Sequence, residues 1–213
     1  MTTARPVRTA LVAGLLLAGS LAACGADADA ESAAPPDLGT ALALDLKGFE
    51  PADAPEPPGT VCRDGDYNDD PVPALPGSLG DATAVGYSAG DAEVHAWAWR
   101  TATPESATAV VDEAVADLEG CRFQIYFDSD TDGDGEIDAG GSEEQTARPW
   151  SDDSWTGMSA SARFYGGGAE LVESRFVGNG DVVLLVVLTV HGNDDALLPT
   201  VDAYLEGVAA RLR

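Results

Sequence analysis

The chain has 213 residues, with 37 aspartate and glutamate residues against 11 lysine and arginine residues, which gives a formal net charge of -26 at pH 7. A surface with this charge repels nucleic acid and anionic lipid headgroups, so the composition excludes binding to either through a basic patch. The length is sufficient for one domain with a hydrophobic core and short for two.

The first 23 residues have the pattern of a secretory signal. Arg5 and Arg8 precede an apolar stretch at residues 10–23, and small residues lead to Cys24. The stretch is shorter than the roughly 20 apolar residues that a spanning helix needs, so we expect it to be cleaved off. An ordinary secreted protein, cut near the same place, is the alternative interpretation.

Cys24 resembles the acceptor cysteine of a bacterial lipoprotein, since it follows Leu-Ala-Ala at residues 21–23. In that family cleavage falls before the cysteine, whose thiol takes a diacylglyceryl group and whose new amino end is often acylated, for example by palmitate. Two or three acyl chains hold a protein firmly, because each buried methylene contributes about 0.8 kcal/mol. The resemblance implies a lipid-anchored protein on the outer face of the cytoplasmic membrane, in the cell envelope. The membrane is then a partner through the anchor.

Residues 24–36 lack the apolar content to fold and predict a disordered tether, which leads to a single extracytoplasmic domain at residues 37–213. Residues 37–49 suit a short helix that docks on this domain, and the proline-rich residues 51–76 predict a long surface connection. Cys62 and Cys121 form an even pair in an exported protein, which predicts a disulfide. Two free thiols or a metal pair are the poorer alternatives outside the cell.

The middle of the domain begins with two strand-like runs, at residues 82–89 and 93–100, which predict a hairpin around Gly90-Asp91. Thr103 and Pro104 then provide the N-cap and first position of a helix, which we expect to end at Gly120. Apolar residues follow at helical spacing, so one face of this helix packs on the sheet.

The second half predicts further strands at residues 122–127, 158–165, 170–177 and 182–190. The last of these is an unbroken run of Val and Leu, which indicates a central strand buried on both faces. A closing helix follows, which we expect to be capped by Asp195 and to hold Pro199 in its first turn. The fold class is therefore α+β: an antiparallel twisted sheet with helices packed on it and one disulfide.

The order of lipoprotein cysteine, acidic tether, helix ending at Gly120-Cys121, strand pair around Val177-Gly178-Asn179 and closing helix resembles the PknH-like extracellular sensor domains. These occur in actinobacterial lipoproteins and on membrane kinases. The resemblance implies a non-catalytic domain with a cleft for an unknown small-molecule or protein ligand. Some members have two disulfides, whereas this chain can form one.

Residues 130–138 are similar to the first nine positions of an EF-hand calcium loop. The twelfth position of such a loop holds a bidentate glutamate, but this chain has Gly141 there, so a free-standing calcium loop is the closer comparison. A solvated acidic loop is the alternative. The candidate ligands of Ca²⁺ are Asp130, Asp132 and Asp134 through their carboxylates, Glu136 through its backbone carbonyl and Asp138 through water.

A possible hydrolase motif surrounds Ser88, because residues 86–90 read Gly-Tyr-Ser-Ala-Gly and Asp128 and His191 follow in the order of an acid and a base. A nucleophile elbow needs a strand, a tight turn and a helix, yet a second strand is predicted after Gly90. A hairpin turn is the ordinary interpretation of this motif.

Four aromatic side chains are candidates for a ligand cleft, since rings beside carboxylates can bind sugars or cations. Core packing is the competing interpretation, at least for one of the two tryptophans of the second predicted strand. The candidates are His95, Trp97, Trp99 and Trp155.

The sequence thus predicts a membrane-anchored lipoprotein whose outer domain binds a ligand or partner and is not an enzyme. The alternatives are a calcium-stabilised surface module and a small serine esterase that uses Ser88 and His191.

Overall fold

The computed structural model describes residues 35–63, 74–129, 139–166, 168–192 and 194–213. These residues belong to a single unit, Pro35–Arg213. Cys24 and the acidic loop at residues 130–138 lie outside the described residues. Within the described part of the chain, no helix is long and apolar enough to cross a membrane.

One antiparallel sheet dominates the described structure, and its eight strands lie in the order β1-β2-β3-β8-β7-β6-β5-β4. The α+β prediction is confirmed in this coarse form, with most of the regular structure in the sheet. The strands are β1 (Glu50–Ala52), β2 (Thr83–Ala89), β3 (Ala92–Arg100), β4 (Phe123–Ser129), β5 (Ala139–Ser151), β6 (Thr156–Tyr165), β7 (Glu170–Asn179) and β8 (Val182–His191).

Strand β8 lies in the middle of the sheet, between β3 and β7, as its unbroken apolar sequence predicts. Successive side chains of a strand point to opposite faces, and β8 supplies apolar residues to both. Val186 and Leu188 belong to the core on one face, whereas Val183 and Leu185 belong to the core on the other. The sheet therefore separates two hydrophobic cores.

Three α-helices of the described part of the chain cover the two faces of the sheet. The helices α1 (Leu38–Leu42) and α3 (Pro199–Leu212) pack on the face that we call the α3 face. The helix α2 (Pro104–Ala116) packs on the opposite face, which we call the α2 face. Helices on both faces explain why β8 has no polar side.

Helix α2 begins as its sequence predicts and ends earlier. The Thr103 hydroxyl accepts a hydrogen bond from the backbone N–H of Ser106 at 3.2 Å, and Pro104 occupies the first turn. The α-helix stops at Ala116, and a 3₁₀ turn at Leu118–Cys121 carries the chain through Gly120. The predicted disulfide between Cys62 and Cys121 is present, with 5.8 Å between the Cα atoms.

The start of α3 differs from the prediction that Asp195 caps it. Asp194 accepts a hydrogen bond from the N–H of Ala196 at 2.9 Å and caps a 3₁₀ turn at Asp195–Leu197. Asp195 instead forms an ion pair with Arg163 at 2.6 Å. Helix α3 then begins directly at Pro199, which needs no hydrogen bond from its nitrogen.

Strand β5 is the main element that the sequence did not predict. Its pairing with β4 ends where Gln145 meets Phe123, so residues 146–151 have a strand partner on the β6 side alone. Pro149 lies in this open-edged part, where its missing N–H costs no hydrogen bond with a neighbouring strand. Arg122 covers part of the edge by donating from Nε and Nη2 to the carbonyl oxygen of Ala147, at 2.9 and 2.7 Å.

Candidate ligand-binding cavity

A cavity of about 450 Å³ opens on the α3 face, between strands β5, β6 and β7 and the first turn of α3. We call it the polar cavity, because most of its floor consists of polar side chains. The floor is lined by Thr146, Arg148, Ser159, Ser161, Glu173 and Arg175, and the α3 side by Leu198, Pro199 and Asp202.

The strand register arranges the floor as two parallel rows. Arg148 on β5 lies opposite Ser159 on β6, which lies opposite Arg175 on β7. The second row runs in the same way from Thr146 through Ser161 to Glu173. Because side chains two residues apart on a strand share a face, all six point to the α3 face.

The rows become apolar as they continue toward the centre of the sheet. Val186 on β8 lies opposite Arg175, and Leu188 lies opposite Glu173. These two residues belong to the core beneath α3. The polar cavity therefore begins where the cover of α3 ends, and the sheet changes from core to cavity floor within one strand spacing of about 4.8 Å.

Arg175 is the centre of the hydrogen-bond network in the polar cavity, although its side chain is only 6% exposed. Its Nη1 forms an ion pair with Glu173 and donates to the Ser159 hydroxyl at 2.9 Å. Its Nη2 lies 3.2 Å from Oδ1 of Asp202 on α3. The guanidinium also stacks over the ring of Trp150, 5.3 Å from its centroid. One cation on β7 thus contacts residues of β5, β6 and α3.

The Glu173 carboxylate is nearly as buried as Arg175 and accepts a second hydrogen bond, from the Ser159 hydroxyl at 3.3 Å. Removing two charges from water costs several kcal/mol per ion before their attraction is counted. The Nε atom of Arg175 is buried and has no hydrogen-bond partner in the described structure. Burying this ion pair therefore costs the fold free energy, and one hydrogen-bond donor of the network has no partner in the described structure.

Arg148 differs from Arg175 because its exposed side chain makes no hydrogen bond or ion pair with any described residue. Of the two described arginines that line the polar cavity, Arg175 is paired with carboxylates and Arg148 is not. Arg148 lies on the β5 side of the polar cavity, two strands away from Arg175. Its guanidinium is available to a ligand.

The four aromatic candidates do not form a cleft together. Trp97 and Trp99 are buried in the core under α2, and Trp97 donates from Nε1 to the carbonyl of Pro55 at 3.0 Å. Trp155 is fully buried in the core of the other face, where its Nε1 donates to the carbonyl of Leu205 at 3.0 Å. His95 packs beside Trp97, with 5.9 Å between the ring centroids. Their positions correspond to core packing.

The three residues of the hydrolase motif also lie apart. Ser88 is on β2, and the next strand β3 begins three residues after Ala89, so the motif is a hairpin rather than a strand, turn and helix. Asp128 is on β4, six strand spacings from β2 in the sheet order, or about 29 Å. His191 on β8 interacts through Nδ1 with Glu170 at 3.3 Å. The structure does not bring these residues into one site.

The calcium ligands at residues 130–138 and the lipid acceptor Cys24 lie outside the described residues, so their positions are not part of this site. Ser129 at the end of β4 pairs with Ala139 at the start of β5, which brings the two ends of the acidic loop opposite each other. Among the described residues, no group of three or more His, Cys, Asp or Glu side chains is placed to hold a metal ion.

The residues of the polar cavity were not predicted from the sequence, although a signal was present. Three segments alternate hydroxyl or charged side chains at every second position: Thr146 with Arg148, Ser159 with Ser161, and Glu173 with Arg175. Each pair is typical of one polar strand face. Only the strand order, which sequence reasoning did not provide, makes them neighbours.

Comparison with solved structures finds a similar fold in the crystal structure of the extracellular domain of PknH from Mycobacterium tuberculosis. The TM-score is 0.50 and the sequence identity 9%, over 82% of this chain and 89% of that chain. The likeness is one of fold. No family model matches the chain, and no curated protein matches it either.

Proposed function

We propose that this chain is a lipid-anchored protein of the cell envelope whose outer domain binds a small polar ligand in the polar cavity and performs no chemistry on it. The fold that it shares with the extracellular domain of PknH supports the extracytoplasmic location. The signal sequence and Cys24 support the anchor.

The buried Arg175–Glu173 pair in the wall of an open cavity is the observation that carries the proposal. Ligand sites combine a concave surface with a few polar groups that are held in place before the ligand arrives. Arg175 is held by Glu173, Ser159 and Asp202, so its position is fixed without a ligand. A hydrophobic pair would fill the same space at lower cost, which favours a function for the charges.

Ligand-observed NMR with the full chain in mild detergent tests this proposal. The probes are a panel of amino acids, sugars and organic acids, and the variant Thr146→Trp is designed to fill the polar cavity. The control Gln124→Trp places the same ring on an exposed site of β4 outside the cavity. At least one compound should bind the wild type and the control and lose binding to Thr146→Trp. Equal binding to all three proteins, or none by any compound, would contradict the proposal.

The anchor is tested separately by intact-protein mass spectrometry in a bacterial host. We expect a mass increase from acylation that globomycin, an inhibitor of lipoprotein signal cleavage, alters. The variant Cys24→Ala should lack the modification and should be released from membranes. An unmodified Cys24 in the wild type would overturn the anchor and leave the binding proposal untouched.

Calcium binding by the acidic loop is a second candidate function. The pairing of Ser129 with Ala139 joins the strands on either side of residues 130–138, so a metal bound there would stabilise the hairpin of β4 and β5. Strand β5 also carries Thr146 and Arg148 of the polar cavity. A calcium ion would then stabilise a strand of the polar cavity without binding in the cavity itself.

A further inference from the structure

The charges of the polar cavity are separated into two sides. Arg148 supplies a cation on the β5 side that has no partner among the described residues. On the β7 and α3 side, Glu173 and Asp202 supply two carboxylates to the single guanidinium of Arg175, which leaves an excess of one negative charge there. The cavity as a whole is close to neutral and has a positive and a negative end.

The groups at the two ends can bind opposite charges. The guanidinium of Arg148 has a planar fork of donors that suits a carboxylate bound by two parallel hydrogen bonds. Asp202 is 51% exposed and contacts Arg175 through Oδ1. In the described structure its Oδ2 has no hydrogen-bond partner and can accept from an ammonium group, which has three donors.

The charge of the whole protein narrows the choice of ligand. A net charge of -26 disfavours the approach of a simple anion to Arg148. A simple cation would make no favourable contact with Arg148, because the two charges have the same sign. A molecule that carries both charges and is neutral overall satisfies both ends of the cavity and meets no net repulsion.

We infer that the ligand of the polar cavity is a small zwitterion of the short peptide class, with its carboxylate on Arg148 and its ammonium group on Asp202. This inference rests on the proposed function of the cavity. The strand backbones at Arg148 and at Arg175, whose guanidinium contacts Asp202, are two strand spacings apart, or about 10 Å. An extended tripeptide spans about 10 Å as well, and a volume of about 450 Å³ admits it.

Isothermal titration of the full chain in mild detergent with three matched probes tests the inference. Triglycine carries both charges, N-acetyl-triglycine only the carboxylate, and triglycine amide only the ammonium group. Triglycine should bind at least about tenfold more tightly than either blocked form, because each blocked form loses one charge-assisted contact.

Two variants assign the contacts. Arg148→Gln should weaken triglycine binding about tenfold and leave the affinity for triglycine amide unchanged, while Asp202→Asn should weaken both. The matched controls are Lys47→Gln, an exposed cation away from the cavity, and Glu206→Gln, an exposed acid on the same helix. Arg148 has no partner in the described structure, so its variant should keep the wild-type melting temperature.

A blocked form that binds as tightly as triglycine would overturn the zwitterion inference and leave the binding function of the cavity standing. Absence of binding by all three probes at millimolar concentration would also overturn it. The binding function of the cavity is then tested by the panel of amino acids, sugars and organic acids and by Thr146→Trp. That test does not require the ligand to be a zwitterion.

Discussion

Tyr87 on β2 and Tyr204 on α3 donate hydrogen bonds to the same acceptor, the carbonyl oxygen of Leu42, each at 2.9 Å. Their rings meet edge to face, with 6.0 Å between the centroids. The Tyr87 oxygen also accepts from the backbone N–H of Leu44 at 2.8 Å. The two tyrosines thus fasten the end of α1 to the sheet and to α3.

Alkaline pH should release this attachment. Burial raises the pKa of Tyr204 and that of Tyr87 above the usual value. The neutral phenols therefore stabilise the fold fully below the unfolded-state pKa of about 10, and this stabilisation is lost as the pH rises above it. Chemical unfolding at a series of pH values should show a free energy of unfolding that falls above about pH 10.

The variant Tyr204→Phe should lose about 1 kcal/mol at neutral pH, because one buried hydrogen bond disappears. It should also show a weaker decline of stability at alkaline pH than the wild type. Tyr126→Phe is the matched control, since the Tyr126 side chain is 74% exposed. If both variants followed the wild-type pH profile, the hydrogen bonds to Leu42 would not be the cause of alkaline unfolding.

Replacing one partner of the buried ion pair should lower the free energy of unfolding more than replacing both partners. Arg175→Met leaves the Glu173 carboxylate buried with Ser159 as its remaining partner, and such losses cost about 3–5 kcal/mol. The double variant Arg175→Met with Glu173→Leu should regain most of this free energy. Urea unfolding measures both, with Arg213→Met as an exposed control. A double variant no more stable than the single one would show that the cost comes from lost packing.

The disulfide should contribute substantially to stability. Cys62 and Cys121 are 59 residues apart in sequence, and the chain-entropy estimate for a loop of this size is about 4 kcal/mol. Urea unfolding of Cys62→Ser with Cys121→Ser should show a lower free energy of unfolding by an amount of this order. Cys24→Ser, which leaves the disulfide intact, is the control. An unchanged midpoint in the double variant would contradict the estimate.

Calcium should raise the melting temperature if the acidic loop binds it. A ligand that binds the native state alone adds about 2.7 kcal/mol at 100 times its dissociation constant. The measurement compares melts in EDTA, millimolar calcium and millimolar magnesium. Asp132→Asn with Asp134→Asn should remove the calcium effect, since it neutralises two of the candidate carboxylate ligands. No calcium-specific rise in the wild type would identify the segment as a solvated loop.

The elements that could be predicted from the sequence are those whose buried positions produce a regular pattern of apolar residues. The unbroken apolar run of β8 indicated a central strand, because both faces of that strand are covered by helices. Helix α2 was predictable from Thr103, Pro104 and its apolar stripe. Its end was misplaced, since Gly120 belongs to the 3₁₀ turn that leads to Cys121 rather than to the α-helix itself.

The polar cavity was not predictable by the same reasoning. Strand β5 exposes Glu144, Thr146 and Arg148 on one face and has an open edge beyond Gln145, so its sequence lacks the apolar alternation that burial imposes. The sequence around Trp155 suggested a ligand site where the structure has a core position. A tryptophan beside carboxylates is also compatible with burial when a carbonyl accepts from its Nε1, as that of Leu205 does here.

Helix α3 has 14 residues and is therefore about 21 Å long. Its first turn borders the polar cavity through Pro199 and Asp202, while Arg211 in its last turn donates to the carbonyls of Thr40 and Ala43 at 2.7 and 2.6 Å. Close-packed interiors transmit displacement rather than absorb it. A displacement of the first turn of α3 would therefore also move residues 40–43, which are bound to the other end of the same helix.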